Sequence, residues 1–125
     1  AGVMMHGPTF MANPLACAIA IESLKMLMET DMAARIAHIR TILEEELAPA
    51  ADMADVAEVR VLGTIGVIEL KETIDVGAFQ KLCVKEGVWI RPFGHNAYVM
   101  PPYVINDEEL RILCRRFLKI LKEYC

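Results

Sequence analysis

Apolar residues along this 125-residue chain recur mostly at helical spacing, interrupted by short stretches where β-branched residues crowd together. Asn13-Pro14 reads as an N-cap followed by the first helical position. The asparagine side chain accepts from a free amide, and proline lacks the amide that a first turn leaves unpaired. Cys17, Ile21, Leu24 and Met28 then follow at helical spacing. Thr30-Asp31 offers a second start, with Met32, Ile36, Ile39, Leu43 and Leu47 on one face and Pro49 closing the helix. Glu44, Glu45 and Glu46 fall near its end, where the helix dipole opposes them, so the pattern predicts a solvated face.

Residues 50–57 are rich in Ala and Asp and predict irregular chain. RVLGTIGVIELK, residues 60–71, is β-branched and punctuated by Gly63 and Gly66, which predicts a strand, a kink or bulge, and a second strand. Asp75 can cap a helix carrying Val76, Phe79, Leu82 and Cys83, ended by Gly87. VWIRPFG reads as a short strand broken by proline and glycine, and AYVMPP as another. NDEEL is a capping box, Asn106 with Glu109 at the third helical position; Leu110, Leu113, Phe117, Leu121 and Tyr124 stripe the helix that follows. Helix, helix, strands, helix, two strands, helix predicts one α+β domain over residues 1–125, a small antiparallel or mixed sheet backed by helices on one face.

Composition adds one tension. Apolar residues make up 55% of the chain, high for a lone soluble domain, which predicts that another domain or subunit covers part of it. Net charge is −4, from 13 basic and 17 acidic residues without a like-charge block, arguing against nucleic acid or an anionic membrane as partner. Residues 1–21 carry no charged side chain, but Pro8, Asn13 and Pro14 interrupt them and no basic segment precedes them. Neither a membrane span nor a signal peptide fits. The first residue is Ala1, which processing or a cut from a longer protein would explain. Cys17, Cys83, Cys114 and Cys125 form no C-x-x-C pair, as expected of a reduced, cytoplasmic protein. His6, His38 and His95 lack ligand spacing, so no metal site is expected.

Two places invite chemistry. In Gly7-Pro8-Thr9, glycine permits close approach of a ligand, proline fixes a turn, and threonine offers a hydroxyl and an amide. Such a loop can hold a phosphate oxygen, although Gly-Pro turns are common without any ligand. Arg91, between bulky apolar neighbours in WIRPFG, has a rigid fork suited to a carboxylate. The plainer reading is an edge arginine with its head in water. Tyr98 and Tyr103 flank Met100-Pro101-Pro102, and each either points a hydroxyl into a cleft or simply packs. No Ser-His-Asp group, spaced acid pair or Gly-rich nucleotide fingerprint is present. The six lysines, Lys25, Lys71, Lys81, Lys85, Lys119 and Lys122, fall on solvated helix faces or strand ends, and none suits covalent catalysis.

HGPTFMANPLACA, followed downstream by GVWIRPFG and AYVMPPY, resembles the C-terminal part of class III (fold type I) pyridoxal-phosphate aminotransferases. The resemblance runs from about His6 to the last helix. HGPTFM and WIRPFG with MPPY point to the branch that serves biotin biosynthesis, which moves an amino group from S-adenosylmethionine to 8-amino-7-oxononanoate. It implies that Gly7, Pro8 and Thr9 clamp the phosphate of pyridoxal 5′-phosphate across a homodimer interface, with Thr9 making the contact. It also implies that Arg91 binds the carboxylate of the keto acid and that Tyr98 lines the same pocket. Residues 6–18 then avoid charge because they lie buried between subunits. Position 12, commonly glycine in relatives, is Ala12 here. The lysine that carries the cofactor lies upstream in this family, so no residue here is assigned as catalytic and the chain alone is expected to be inactive. A second expectation, of another class, is a freestanding carboxylate- or phosphate-binding or interaction module without chemistry; a purely structural remnant is a third.

Overall fold

The computed structural model describes Gly2, Gly7 and residues 11–125 of the chain. It divides into two compact units, Ala1–Met32 and Ala33–Cys125.

The first unit holds α1, Pro14–Glu29, opened as the sequence predicts: Asn13 Oδ1 accepts from the Ala16 amide at 3.1 Å. Ala12, just before the cap, sits at a φ of 59°, a left-handed conformation that costs any residue with a Cβ. No α1 residue is buried; Leu15 is 71% and Met28 86% exposed, so the apolar stripe read from the sequence is an exposed one.

The second unit runs α2 (Met32–Leu47, all but its first residue), a 3₁₀ turn (Ala48–Asp52), β1 (Val56–Leu62), β2 (Ile65–Leu70), α3 (Val76–Lys85), β3 (Asn96–Val99) and α4 (Asp107–Tyr124). The three strands form one antiparallel sheet in the order β1-β2-β3. This is the α+β architecture expected. Gly66, Ile68 and Leu70 of β2 and Ala97 and Val99 of β3 turn to one face and are buried. There they meet Ile39, Leu43 and Leu47 of α2, Phe79 and Cys83 of α3, and Leu110, Cys114 and Phe117 of α4 in a single core. Burying a phenylalanine such as Phe79 or Phe117 completely is worth about 1.5–3 kcal/mol. At the far end of α4 the Tyr124 ring meets Phe79 edge-on, centroids 5.4 Å apart, and its hydroxyl accepts from the Asp75 amide at 2.7 Å.

Several local expectations change. The two glycines of RVLGTIGVIELK do different jobs. Gly63, at a φ of 57°, takes the first position of the two-residue β1–β2 turn, whereas Gly66 lies inside β2, where a Cβ would come within 2.5 Å of Leu47 Cδ1. The bulge falls instead between Val56 and Glu58. VWIRPFG is not a strand: Pro92 has no amide to give, and only Phe93 is bridged, to Asn96 across Gly94 and His95. Glu46 is not solvated. Its side chain is only 14% exposed and faces Arg111 at 2.6 Å and Arg115 at 3.5 Å, while Glu44 and Glu45 stay exposed. Val76, assigned to the packed face of α3, is exposed.

The N-caps of α3 and α4 behave as read. Asp75 Oδ1 accepts from Ala78 and Asn106 Oδ1 from Glu109, at 3.0 and 2.8 Å. Asp107, Glu108 and Glu109 in the first turn of α4 and Lys122 in its last complement the helix dipole. Cys83 and Cys114 are buried free thiols; Cys17 is exposed. Among the described residues no helix is long and apolar enough to cross a membrane.

Candidate functional site

Gly87 follows the end of α3 with a φ of 69°, and residues 88–92 after it form neither helix nor strand. Ile90 and Pro92 turn into the core, so the alternating residues Trp89, Arg91 and Phe93 are left exposed. The Cys83 thiol donates to the Ile90 carbonyl at 3.7 Å, fixing the segment at its middle. On β3 the same alternation sends Ala97 and Val99 inward and leaves Tyr98, 37% exposed, on the opposite face beside Val67.

These two alternations bring Arg91 and Tyr98 to one open pocket of about 360 Å³, walled further by Trp89, Met100, Pro101 and Leu113. A guanidinium and a phenol stand at an otherwise apolar surface, an arrangement that suits a ligand with an anionic head and an aliphatic body. The charge environment of Arg91 is distinctive. Each of the other six arginines holds a partner: Arg35 two carbonyls, Arg40 Glu44, Arg60 Glu58, Arg111 and Arg115 Glu46, and Arg116 the Gly87 carbonyl. Arg91 has no hydrogen-bond or ion-pair partner among the described residues.

A second cavity of about 440 Å³, lined by Thr64, Ile65 and Tyr103, shares Met100, Pro101 and Pro102 with the first. In the sheet row that runs from Tyr98 through Val67, Arg60 is held by Glu58 at 2.6 Å, Asn96 at 2.8 Å and Glu69. The hydrogen bond to Glu69, with a further one to Glu58, raises its pKa and keeps its charge committed within the protein.

Gly7 is exposed, and a Cβ added to it would meet nothing within 4 Å. Pro8 and Thr9, the other two members of the expected phosphate clamp, lie outside the described residues. Four of the six lysines are held by partners within the protein. Lys85 pairs with Glu123 at 2.5 Å, which pushes its pKa up, the reverse of what a nucleophilic amine needs. Lys25, Lys71 and Lys119 are engaged by Glu22, the Ala54 carbonyl and Glu86.

The chain belongs to the class-III aminotransferase family, whose profile matches residues 1–121. Members of this class depend on pyridoxal phosphate. Among its relatives, the adenosylmethionine-8-amino-7-oxononanoate aminotransferase of Corynebacterium glutamicum is 44% identical over 113 residues, covering 90% of this chain and 27% of that protein. The solved structure of the enzyme of that name from Methanocaldococcus jannaschii superposes with a TM-score of 0.83 at 25% identity, covering 97% of this chain and 30% of the other. An omega transaminase from Pseudomonas jessenii, solved in complex with PMP, gives a TM-score of 0.84 at 25% identity, covering 98% of this chain and 30% of the other. The chain thus spans about a quarter of the length of the curated relatives it matches.

Proposed function

We propose that this chain supplies the C-terminal part of a cytoplasmic, homodimeric, pyridoxal-phosphate-dependent aminotransferase of biotin biosynthesis. That enzyme transfers an amino group from S-adenosylmethionine to 8-amino-7-oxononanoate. The observation that carries this reading is the pairing of Arg91 with Tyr98 in one pocket, Arg91 being the arginine without a hydrogen-bond or ion-pair partner among the described residues. A nonanoate chain ending in a carboxylate matches the chemistry of that wall: the guanidinium fork takes the carboxylate, the Tyr98 hydroxyl adds a donor, and Trp89, Met100 and Leu113 cover the methylenes. The 44% identity to a relative bearing that substrate in its name supports the same choice.

When bound, the cofactor supplies the electron sink that lets an amino group change carriers. Gly7, Pro8 and Thr9 hold its phosphate from across the dimer, the bare Gly7 backbone leaving room for close approach. The exposed α1 supports this placement, because so apolar a surface calls for cover from the rest of the assembly. Arg91 and Tyr98 hold the acceptor by its remote end, so that binding energy orients the reacting carbonyl. Proton movement and covalent attachment of the cofactor fall to residues outside this chain, which alone is inactive.

The test is Arg91→Ala within the enzyme encoded by the continuous reading frame. Losing a charge-assisted bidentate pair costs about 1.5–3 kcal/mol, a drop of roughly 10- to 150-fold in kcat/KM for the keto acid. Affinity for pyridoxal phosphate stays as in the parent. An unchanged KM and rate would remove Arg91 from the site. A start codon directly upstream of Ala1, with carboxylate binding but no turnover, would leave the freestanding module instead.

A further inference from the structure

The Arg91 pocket has a wall that cannot hold itself in place. Met100, Pro101 and Pro102 form the partition shared by the two cavities, yet two of the three are prolines without an amide. Their position is set from the ends. On one side Val99 is paired with Gly66 in the β2–β3 ladder. On the other a turn closes as the Ile105 amide donates to the Pro102 carbonyl at 3.1 Å.

That turn is gripped by a single side chain from α2. Arg35 Nε donates to the Tyr103 carbonyl at 2.8 Å, and Nη2 donates to the Ile105 carbonyl. Nη1 lies 3.7 Å from Asp107 Oδ1, in the first turn of α4. The side chain is 25% exposed, so its geometry is set more by the protein than by solvent. One planar fork therefore spans residues 103 to 107, satisfying two carbonyls that otherwise have no protein donor among the described residues. His38, one turn further along α2, reaches the same carboxylate at 2.8 Å but touches neither carbonyl.

We propose that Arg35 is a positioning residue for the substrate pocket: by clamping the Tyr103 and Ile105 carbonyls it sets the Met100–Pro102 wall against Arg91 and Tyr98. It touches no ligand. Its influence is on how well the aliphatic body of the acceptor is covered, which appears in binding of the acceptor rather than in the chemical step. The inference rests on the carboxylate-pocket reading above for its catalytic consequence, but not for its structural one.

The experiment compares Arg35→Gln, Arg35→Lys and His38→Ala in the complete enzyme. Arg35→Gln is expected to raise KM for 8-amino-7-oxononanoate about five- to tenfold with kcat within about twofold, since one or two hydrogen bonds to the wall are lost. Arg35→Lys restores part of that loss, keeping the charge without the fork. His38→Ala, which removes only the Asp107 contact, leaves KM at the parent value, and cofactor affinity is the same throughout. A second readout needs no turnover: the Met100 methyl resonance shifts and the Ile105 amide exchanges faster in both Arg35 variants, not in His38→Ala. An unchanged KM in folded Arg35 variants, or an equal rise in His38→Ala, would overturn the proposal. If Arg91→Ala raises KM while the Arg35 variants do not, only the clamp fails. If Arg91→Ala has no effect, the methyl and amide readouts still decide whether the clamp exists. An Arg35→Gln protein that does not fold leaves the decision to Arg35→Lys.

Discussion

Replacing Gly66 with alanine tests the packing of the sheet on α2. The new methyl would lie 2.5 Å from Leu47 Cδ1, about 1 Å inside ordinary carbon–carbon contact. Leu47 is completely buried, and Val99 Cγ2 and Leu43 Cδ2 stand 3.4 and 3.5 Å from the same point, so the leucine has little room to retreat. Overpacking of this kind costs about 1–3 kcal/mol. Alanine returns about 0.4–1 kcal/mol by restricting the unfolded chain. The net expectation is a loss of about 1–2 kcal/mol, read as a lower urea midpoint by far-ultraviolet circular dichroism and a melting temperature lower by roughly 5–15 °C. Leu47→Ala alone should cost about 2–5 kcal/mol by opening a cavity. In the double variant the Gly66 methyl occupies part of that void, so the two losses should fall short of additivity by about 1 kcal/mol or more. A neutral or stabilising Gly66→Ala, or strict additivity, would refute the idea that this glycine exists for close approach.

Three further outcomes follow from the cysteines and from the start of α1. Burial pushes the Cys114 thiol up to about 11 from 9.0, with Glu46 adding to the rise and Arg111 opposing it. Between those values the unfolded chain gives up its proton while the folded one keeps it, so stability is unaffected below pH 9 and falls as pH rises towards 11, by up to about 3 kcal/mol. Urea midpoints across that range should decline less steeply in Cys114→Ala, and identical slopes would count against the assignment. In line with this burial, a thiol reagent should label Cys17 and Cys125 in the isolated chain, Cys17 becoming protected where the assembly covers α1, and reach Cys83 and Cys114 only after unfolding. Ala12→Gly relieves a φ of 59° and should raise the melting temperature of the complete enzyme, by an amount equivalent to about 0.5–1 kcal/mol; no change would mean the strain is not carried there.

Much of this architecture was legible in the chain because its signals are local. Asn13, Asp75 and Asn106 announce helix starts through a side chain that reaches an amide three residues on, and each does so. The α+β order follows from periodicity and turn residues in the same way. What escaped was set by neighbours distant in sequence. Glu46 reads as solvated until Arg111 and Arg115 of α4 arrive beside it. VWIRPFG has the residues of a strand, but a strand needs an edge to pair with, and its backbone groups bond to Cys83 and across the Phe93–Asn96 turn instead. For the site, the sequence motif singled out Arg91 and Tyr98, and the alternation of inward and outward residues accounts for their meeting. The Arg35 clamp had no local sign at all: its partners are backbone oxygens nearly seventy residues away, and a carbonyl leaves no mark in a sequence.

Because Met100, Pro101 and Pro102 belong to both cavities, the two volumes are not independent. Shaving a side chain from that divider enlarges both chambers or merges them, and pushing it one way crowds one side as it relieves the other. Under the function proposed above, altering the reach towards longer or bulkier acceptors therefore has a natural handle at Met100, whose unbranched thioether bends where its two rigid neighbours do not. The same coupling sets the toll of such redesign: whatever space is gained beside Arg91 is taken from, or shared with, the chamber beside Thr64.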